Sequence, residues 1–318
     1  FGGADVLDGT LQFGTLYAFI GYVSLLFQPI NDLAEKYNIM QSSMAASERI
    51  FMLLDEPEEE DGGTFLLDAE TAAGDIEFKN VWFAYNKDEW VLRDVSFKVP
   101  AGSTVAIVGA TGAGKTSIIN LLSRFYEIQK GEILINGMNI KGIEKDSLRR
   151  SIGVVLQDVF LFSGKLKDNI RLSESGISDK KVEEAARYVN ADAFIKKLRS
   201  GYEEEVMERG STFSSGQRQL LAFARALAFD PAILVLDEAT SNIDTDTELL
   251  IQDALAKLTR NRTTIVIAHR LSTIQHADNI IVLHKGKVRE AGSHQELLAK
   301  KGLYYSLYQL QYLGNAQV

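Results

Sequence analysis

Cysteine is absent from this 318-residue sequence, and histidine and proline occur four times each. The absence of cysteine excludes disulfides, thiolate metal ligands and a cysteine nucleophile. No two histidines stand at the spacing of zinc ligands, which argues against a zinc site. Acidic residues outnumber basic ones, and the net charge of −9 gives no sign of a basic face for nucleic acid. We therefore expect no nucleic-acid partner.

Charge is also missing from one long run, Leu11–Ile30, which contains no Asp, Glu, Lys or Arg. As a helix, this run would be roughly 30 Å long, the thickness of a bilayer core. Its glycines, glutamines and proline suit a helix packed among other membrane helices. The alternative is a buried helix of a soluble core. The first basic residue, Lys36, follows the run, which places its C-terminal end in the cytoplasm.

The pattern of residues divides the chain into three parts. Apolar residues continue at helical spacing to about Asp55, where Pro57 and the acidic stretch EPEEEDGG interrupt them. We predict the end of a transmembrane domain over 1–56, with its last membrane helix at about 11–30. An acidic linker over 57–72 and a second domain over 73–318 follow. Because the chain does not begin with Met, we expect it to belong to a longer, multi-pass protein of the cell membrane.

The second domain shows the pattern of an α/β fold. GDIEFKNVWFAY and VLRDVSFKV alternate between apolar and polar residues, as strands of a half-exposed antiparallel sheet do. TVAIVG, IGVVLQ, AILVLDEA and TTIVIAH are short apolar runs typical of strands buried on both faces. Helical stretches such as Thr116–Arg124 and Asp179–Lys197 lie between them. This alternation predicts a mostly parallel sheet covered by helices.

The motif GATGAGKT follows the run TVAIV directly and matches the P-loop pattern G-x-x-x-x-G-K-[ST]. Its glycines would let backbone N–H groups surround phosphates, while Lys115 reaches the β and γ oxygens and Thr116 binds Mg²⁺. The alternative is a glycine-rich turn that binds nothing. The residues predicted to hold the phosphates are Gly109, Ala110, Thr111, Gly112, Ala113, Gly114, Lys115, Thr116 and Ser117.

Two acids follow another apolar run, in ILVLDE. Asp237 would bind Mg²⁺, and Glu238 would polarise an attacking water. Alternatively, the pair could serve a helix N-terminus, where negative charge is favoured.

Further motifs surround these two in a fixed order: Tyr85 in VWFAY, Gln157 in VVLQD, the stretch STFSSGQRQ, Asp244 in SNID and His269 in IVIAHR. Over residues 75–300 this order resembles the nucleotide-binding domain of ABC transporters. The resemblance implies a P-loop ATPase fold with a mixed core sheet, an antiparallel β subdomain and an α-helical subdomain. The long transmembrane helix would precede it, as at the end of an exporter membrane domain.

The resemblance also implies a role for each residue, with ATP and Mg²⁺ as cofactors. Tyr85 would stack on adenine, although it could be an ordinary strand aromatic. Gln157 would bind Mg²⁺ together with Thr116 and Asp237 and sense the attacking water. His269 would bond the γ-phosphate and hold Glu238 and water in register. The implied catalytic residues are Glu238, His269, Gln157 and Lys115.

The signature motif of the family is L-S-G-G-Q, whereas this chain has Phe213-Ser214-Ser215-Gly216-Gln217. Family domains pair head to tail, so Ser214, Gly216 and Gln217 would bind the ATP held by a partner, and Asp244 would touch that partner. A relaxed signature beside an intact Glu238 favours the competent half of a heterodimer. Neutral drift in a homodimer is the alternative.

We therefore expect an ATP-hydrolysing exporter subunit that moves small hydrophobic cargo and contacts membrane lipid. Its partner would be a second ABC half-transporter subunit. A homodimeric lipid or peptide exporter is one alternative. A soluble ABC ATPase of DNA repair or translation is another, but it would lack Leu11–Ile30. A non-hydrolysing module would lack Glu238 or His269.

Overall fold

The computed structural model describes residues 1–59, 62–67, 72–87, 89–172, 174, 176–207, 210–237, 245–268 and 271–310. The chain forms two compact units, Phe1–Glu60 and Asp61–Val318.

The first unit consists of helices α1 (Gly2–Leu7) and α2 (Phe13–Leu54). Helix α2 has 42 residues and continues without interruption through Pro29 to just before the acidic stretch. By length and composition it could cross a membrane. None of its residues is buried, although many are large and apolar. Such a surface calls for lipid or neighbouring helices to cover it.

The strands of the second unit form two larger sheets and a short pair. Their bounds are β1 (Ile76–Ala84), β2 (Trp90–Val99), β3 (Thr104–Val108), β4 (Lys130–Ile135), β5 (Met138–Asn139), β6 (Ile152–Val155), β7 (Gly164–Lys165), β8 (Glu205–Val206), β9 (Ile233–Asp237), β10 (Thr263–Ile267), β11 (Asn279–His284) and β12 (Lys287–Gly292). Among the described residues, one sheet has the order β2-β1-β4-β5 and is antiparallel. The other has the order β12-β11-β3-β10-β9-β6 and is parallel except at β12.

The helices of the second unit lie between these strands and after the last of them. They are α3 (Lys115–Leu122), α4 (Lys145–Ser151), α5 (Leu166–Arg171), α6 (Asp179–Tyr188), α7 (Asp192–Ile195), α8 (Ser215–Phe229), α9 (Thr245–Thr259), α10 (Leu271–Gln275), α11 (His294–Lys300) and α12 (Leu303–Tyr308). The helical stretch predicted over Asp179–Lys197 consists of two helices. Asn190 has a positive φ of 65°, which a continuing helix cannot accommodate, so α6 and α7 are separate.

The parallel sheet is buried on both faces, as the apolar runs predict. In β3, Val105 and Ile107 face one hydrophobic cluster, whereas Ala106 and Val108 face another. The first cluster includes the antiparallel sheet and α3, and the second includes α5, α6, α8 and α9. The predicted ABC ATPase architecture, with mixed core sheet, antiparallel β subdomain and helical subdomain, is confirmed.

Part of the predicted linker, residues 62–67, belongs to the second unit and is hydrogen-bonded to its backbone. The backbone N–H groups of Thr64 and Phe65 both donate to the carbonyl of Gly142, and Glu144 N–H donates back to the carbonyl of Phe65. Gly63 lies so close to this edge that a Cβ there would stand 2.0 Å from the carbonyl oxygen of Ile143. Residues 62–67 therefore form a docked segment along residues 142–144 of the same unit.

Candidate active site

Four of the parallel strands, β3, β6, β9 and β10, bring the ends that carry the predicted site residues to the same edge of the sheet. Strand β10 lies between β3 and β9, with Ile267 level with Ile107 on one side and Asp237 on the other. Val155 at the end of β6 pairs with Leu236 of β9. Ligands of α/β proteins bind at this edge, because the loops that leave the strands meet there.

The P-loop connects β3 to α3. Gly114, the N-cap of α3, has a φ of 102°, which side chains other than glycine rarely adopt. A Cβ at Gly109 would stand 2.2 Å from the carbonyl oxygen of Leu283. The loop can therefore follow this path only with glycine at both positions, and it leads into the positive end of α3.

Lys115 lies beneath the loop and is buried. Its Nζ donates hydrogen bonds to the carbonyl oxygens of Gly109, at 2.8 Å, and Ala110, at 3.2 Å. Burial lowers the pKa of the Lys115 ammonium, while the Asp237 carboxylate acts in the opposite direction. Binding of an anion at this site is therefore favoured, because the anion stabilises the charged form of the poorly hydrated Lys115 ammonium.

A cavity of about 560 Å³ opens above the loop. Its lining residues are Tyr85, Val91, Thr111, Gly112, Gly114, Lys115, Thr116, Ser117, Gln157, Asp237 and Ile267. Tyr85 follows β1, Gln157 follows β6, and Asp237 ends β9. The structure thus brings together residues from the predicted adenine, phosphate and metal sets. Val91 and Ile267 were not identified as site residues from the sequence, because their apolar side chains resemble those of any buried strand.

Thr116, Gln157 and Asp237 offer a hydroxyl, an amide and a carboxylate oxygen to this one cavity. Such hard oxygen donors are the ligands that Mg²⁺ takes, and a few of them are enough when phosphates and waters complete its shell. The residues present therefore fit a Mg²⁺ ion bound together with a nucleotide.

The signature motif forms the start of a helix. Ser214 is the N-cap of α8: its Oγ accepts from Gln217 N at 3.2 Å, and Gln217 Oε1 accepts from Ser214 N at 3.0 Å. Phe213 is buried and meets the ring of Phe194 at 6.3 Å between centroids. Its extra bulk relative to leucine therefore lies inside the helical subdomain. Of the described residues that line the cavity, none belongs to the signature.

Several predicted site residues lie outside the described residues. These are Glu238, Asp244 and His269. Their assignments remain predictions from the sequence.

A glycine-rich loop between a buried strand and a helix, a lysine beneath it and an aspartate at the end of a nearby strand define a P-loop ATPase domain. The family model described as ABC transporter matches residues 92–241. The chain belongs to the ABC transporter family, and its second unit contains the ATP-binding domain of that family.

Relatives and a solved structure extend the match to the rest of the chain. This chain is 49% identical over 312 residues to "Probable multidrug resistance ABC transporter ATP-binding/permease protein YheH" of Bacillus subtilis (strain 168). The aligned region covers 98% of this chain and 46% of that protein. The chain is 42% identical to "ATP-dependent lipid A-core flippase" of Syntrophus aciditrophicus (strain SB), over 98% of the chain and 52% of that protein. A solved structure titled "Structure of a bacterial Atm1-family ABC exporter with ATP bound" is 39% identical, with a TM-score of 0.75 over 92% of this chain and 51% of that one. The chain therefore spans about half the length of the curated relatives it matches.

Proposed function

We propose that this chain is the ATP-hydrolysing part of an ABC exporter subunit of the multidrug type, which couples hydrolysis to outward movement of a hydrophobic or amphipathic small molecule. The observation that carries the proposal is the one cavity shared by Tyr85, Lys115, Gln157 and Asp237. Relatives named as a multidrug resistance transporter and an exporter support the transport part. The apolar helix α2 would be one span of a multi-pass protein of the cell membrane.

In this proposal, Tyr85 stacks on adenine, and the N–H groups of the P-loop hold the phosphates. Lys115 exchanges its bonds to loop carbonyls for bonds to the β and γ oxygens. Mg²⁺ held by Thr116, Gln157 and Asp237 would neutralise negative charge on the phosphates. Because the lysine is already buried beside the loop, little rearrangement precedes its contact with ATP.

Hydrolysis needs a base and a group that holds the γ-phosphate. Glu238, the next residue after Asp237, would accept a proton from the attacking water. His269 follows β10 by two positions and would bond the γ-phosphate, keeping water and Glu238 in register. Closure of two domains would exclude solvent and bring in the signature of the partner.

The substitution Glu238→Gln tests this assignment. It should reduce steady-state phosphate release by the full-length transporter at least a hundredfold, because the amide cannot accept the proton, while ATP binding stays within threefold. The matched control is Glu132→Gln, the same change on the exposed part of β4. A Glu238→Gln protein that keeps most of its turnover would rule out the base.

We further propose that the partner is a different chain, so that the dimer has two unequal ATP sites. Ser215 stands where the family has glycine, beside the residues expected to reach the partner's ATP. The added Cβ and hydroxyl would crowd the approach to phosphate in the partner's site alone. A homodimeric lipid exporter is the second candidate, because one relative is named as a lipid A-core flippase.

Co-purification distinguishes these two dimers. The full-length gene would be expressed with its chromosomal neighbour, with a tag on this subunit only, and the purified complex analysed by mass. Two chains in equal amounts support the heterodimer. A single species means a homodimer that tolerates Ser215. If the protein stays soluble and active without detergent, a soluble ABC ATPase replaces both.

A further inference from the structure

The hydroxyl group of Tyr85 is held at two points on helix α3. Asn120 Nδ2 donates to it at 3.2 Å, and the hydroxyl lies 3.1 Å from Ser117 Oγ, to which it can donate in turn. Ser117 and Asn120 are three positions apart, so they lie on the same face of the helix. A side chain at the rim of the cavity is thus tied to the helix that starts at the P-loop.

The backbone just before Tyr85 is also fixed. Both polar atoms of the Gln129 amide bond to Ala84: Oε1 accepts from its N–H, and Nε2 donates to its carbonyl oxygen, each at 3.0 Å. The rings of Phe83 and Tyr126 meet the Tyr85 ring at 4.7 and 4.9 Å between centroids, with interplanar angles of 79° and 90°. Neither ring is parallel to Tyr85, so neither takes the stacked position that a base would need.

We infer that Asn120 is a positioning residue for the nucleotide base. Gln129 holds the backbone at Ala84, and the direction of the Tyr85 ring then depends on its side-chain torsions. The Asn120 amide restrains those torsions through the hydroxyl and so presents the ring to adenine before ATP arrives. This inference rests on the proposed function, in which Tyr85 stacks on adenine.

Ser117 contributes to the same restraint on Tyr85 in the structure, but its bond to Tyr85 is not expected to persist once ATP is bound. It is buried next to the P-loop and is one of the residues predicted to hold phosphates. When phosphates engage Ser117, the bond from Asn120 still holds the hydroxyl of Tyr85. The residues expected to bind the phosphates and the base are thereby linked through one turn of α3, which carries both Ser117 and Asn120.

The test compares ATP with inorganic tripolyphosphate, which offers phosphates but no base. Dissociation constants would be measured for the whole chain in detergent, by calorimetric titration. Asn120→Ala and Tyr85→Phe should each weaken ATP binding about three- to tenfold, the range for one lost hydrogen bond. The double variant should be no more than about twofold weaker than the worse single variant, because both remove the same bond. Tripolyphosphate binding should stay within about twofold throughout.

The outcomes separate this inference from the function on which it rests. Asn120→Ala places a better helix former in α3, so the variant is expected to fold. If it weakens tripolyphosphate as much as ATP, Asn120 supports the P-loop and positions no base. If Tyr85→Ala weakens ATP but Asn120→Ala does not, the positioning role is wrong and the stacking role stands. If Tyr85→Ala leaves ATP binding unchanged, the stacking role itself is wrong.

Discussion

Two of the helices that the structure describes begin with a capping box, and one of these boxes lies in the signature motif. Ser214 caps α8 and Ser293 caps α11 with the same pair of reciprocal bonds, to Gln217 and Glu296 respectively. Replacing either serine by alanine leaves one N–H group at the helix start, that of Gln217 or of Glu296, without its side-chain acceptor. Each substitution should lower the free energy of unfolding by about 1 kcal/mol. For a unit of this size, that corresponds to a fall in Tm of about 2–4 °C.

The two variants should differ in their effect on the ATP-dependent association of two ATPase domains. While Ser214 Oγ accepts from Gln217 N, its O–H remains able to donate to the γ-phosphate of a partner's ATP. A hydrogen bond to a charged group contributes about 1.5–3 kcal/mol. Ser214→Ala should therefore raise the ATP concentration needed for half-maximal domain association roughly 10- to 100-fold, whereas Ser293→Ala should leave it unchanged.

The assay measures the ATP-dependent association of two labelled domains through the energy transfer between their labels. Both domains carry Glu238→Gln, which is expected to prevent hydrolysis. Thermal unfolding of each variant gives the matched change in stability. If Ser293→Ala weakens association as much as Ser214→Ala, the loss comes from helix stability and the signature role fails. If Ser214→Ala does not change Tm, the capping role is wrong.

Two further substitutions test features of the packing. Gly63→Ala should release residues 62–67 and make them cleave several times faster under limited proteolysis, because its Cβ would meet the Ile143 carbonyl oxygen at 2.0 Å. Gly142→Ala is the control, since a Cβ there comes no closer than 3.6 Å to Phe65, and equal cleavage of both variants would contradict the docked arrangement. Phe213→Leu, which restores the family's residue, should lower stability by about 1 kcal/mol through lost packing and leave ATP-dependent association unchanged. A gain in association would place Phe213 at the dimer contact instead of in the core.

The sequence alone predicts the parallel sheet, because a strand buried on both faces must be apolar throughout. It also predicts the P-loop and the aspartate of β9, since phosphate binding restricts which residues fit. It could not predict that the Gln217 side chain caps α8, because a capping box and a phosphate contact call for the same residue types. The sequence does not reveal the break at Asn190, because the flanking residues keep helical spacing.

The contacts of Tyr85 could not be predicted from the sequence either. Asn120, Tyr126 and Gln129 stand well over 30 positions away from it, and an isolated amide or aromatic residue carries no signal of its own. Only the pairing of β1 with β4, and the packing of α3 beneath it, brings them together. Ser117 was identified for a different reason, its place after the P-loop lysine.

Strand β10 lies between β3 and β9 in the sheet, but it follows both of them in the sequence and is therefore synthesised last. Lys115 and Asp237 are therefore brought to one cavity by a strand that leaves the ribosome after both of them. A nascent chain that ends before residue 263 lacks the strand that spaces them and has no complete nucleotide site. Contacts of such long sequence separation form slowly. ATP at a hundred times its Kd would add about 2.7 kcal/mol to the folded state alone. The nucleotide thus becomes available as a stabilising ligand only when synthesis of the domain is nearly finished.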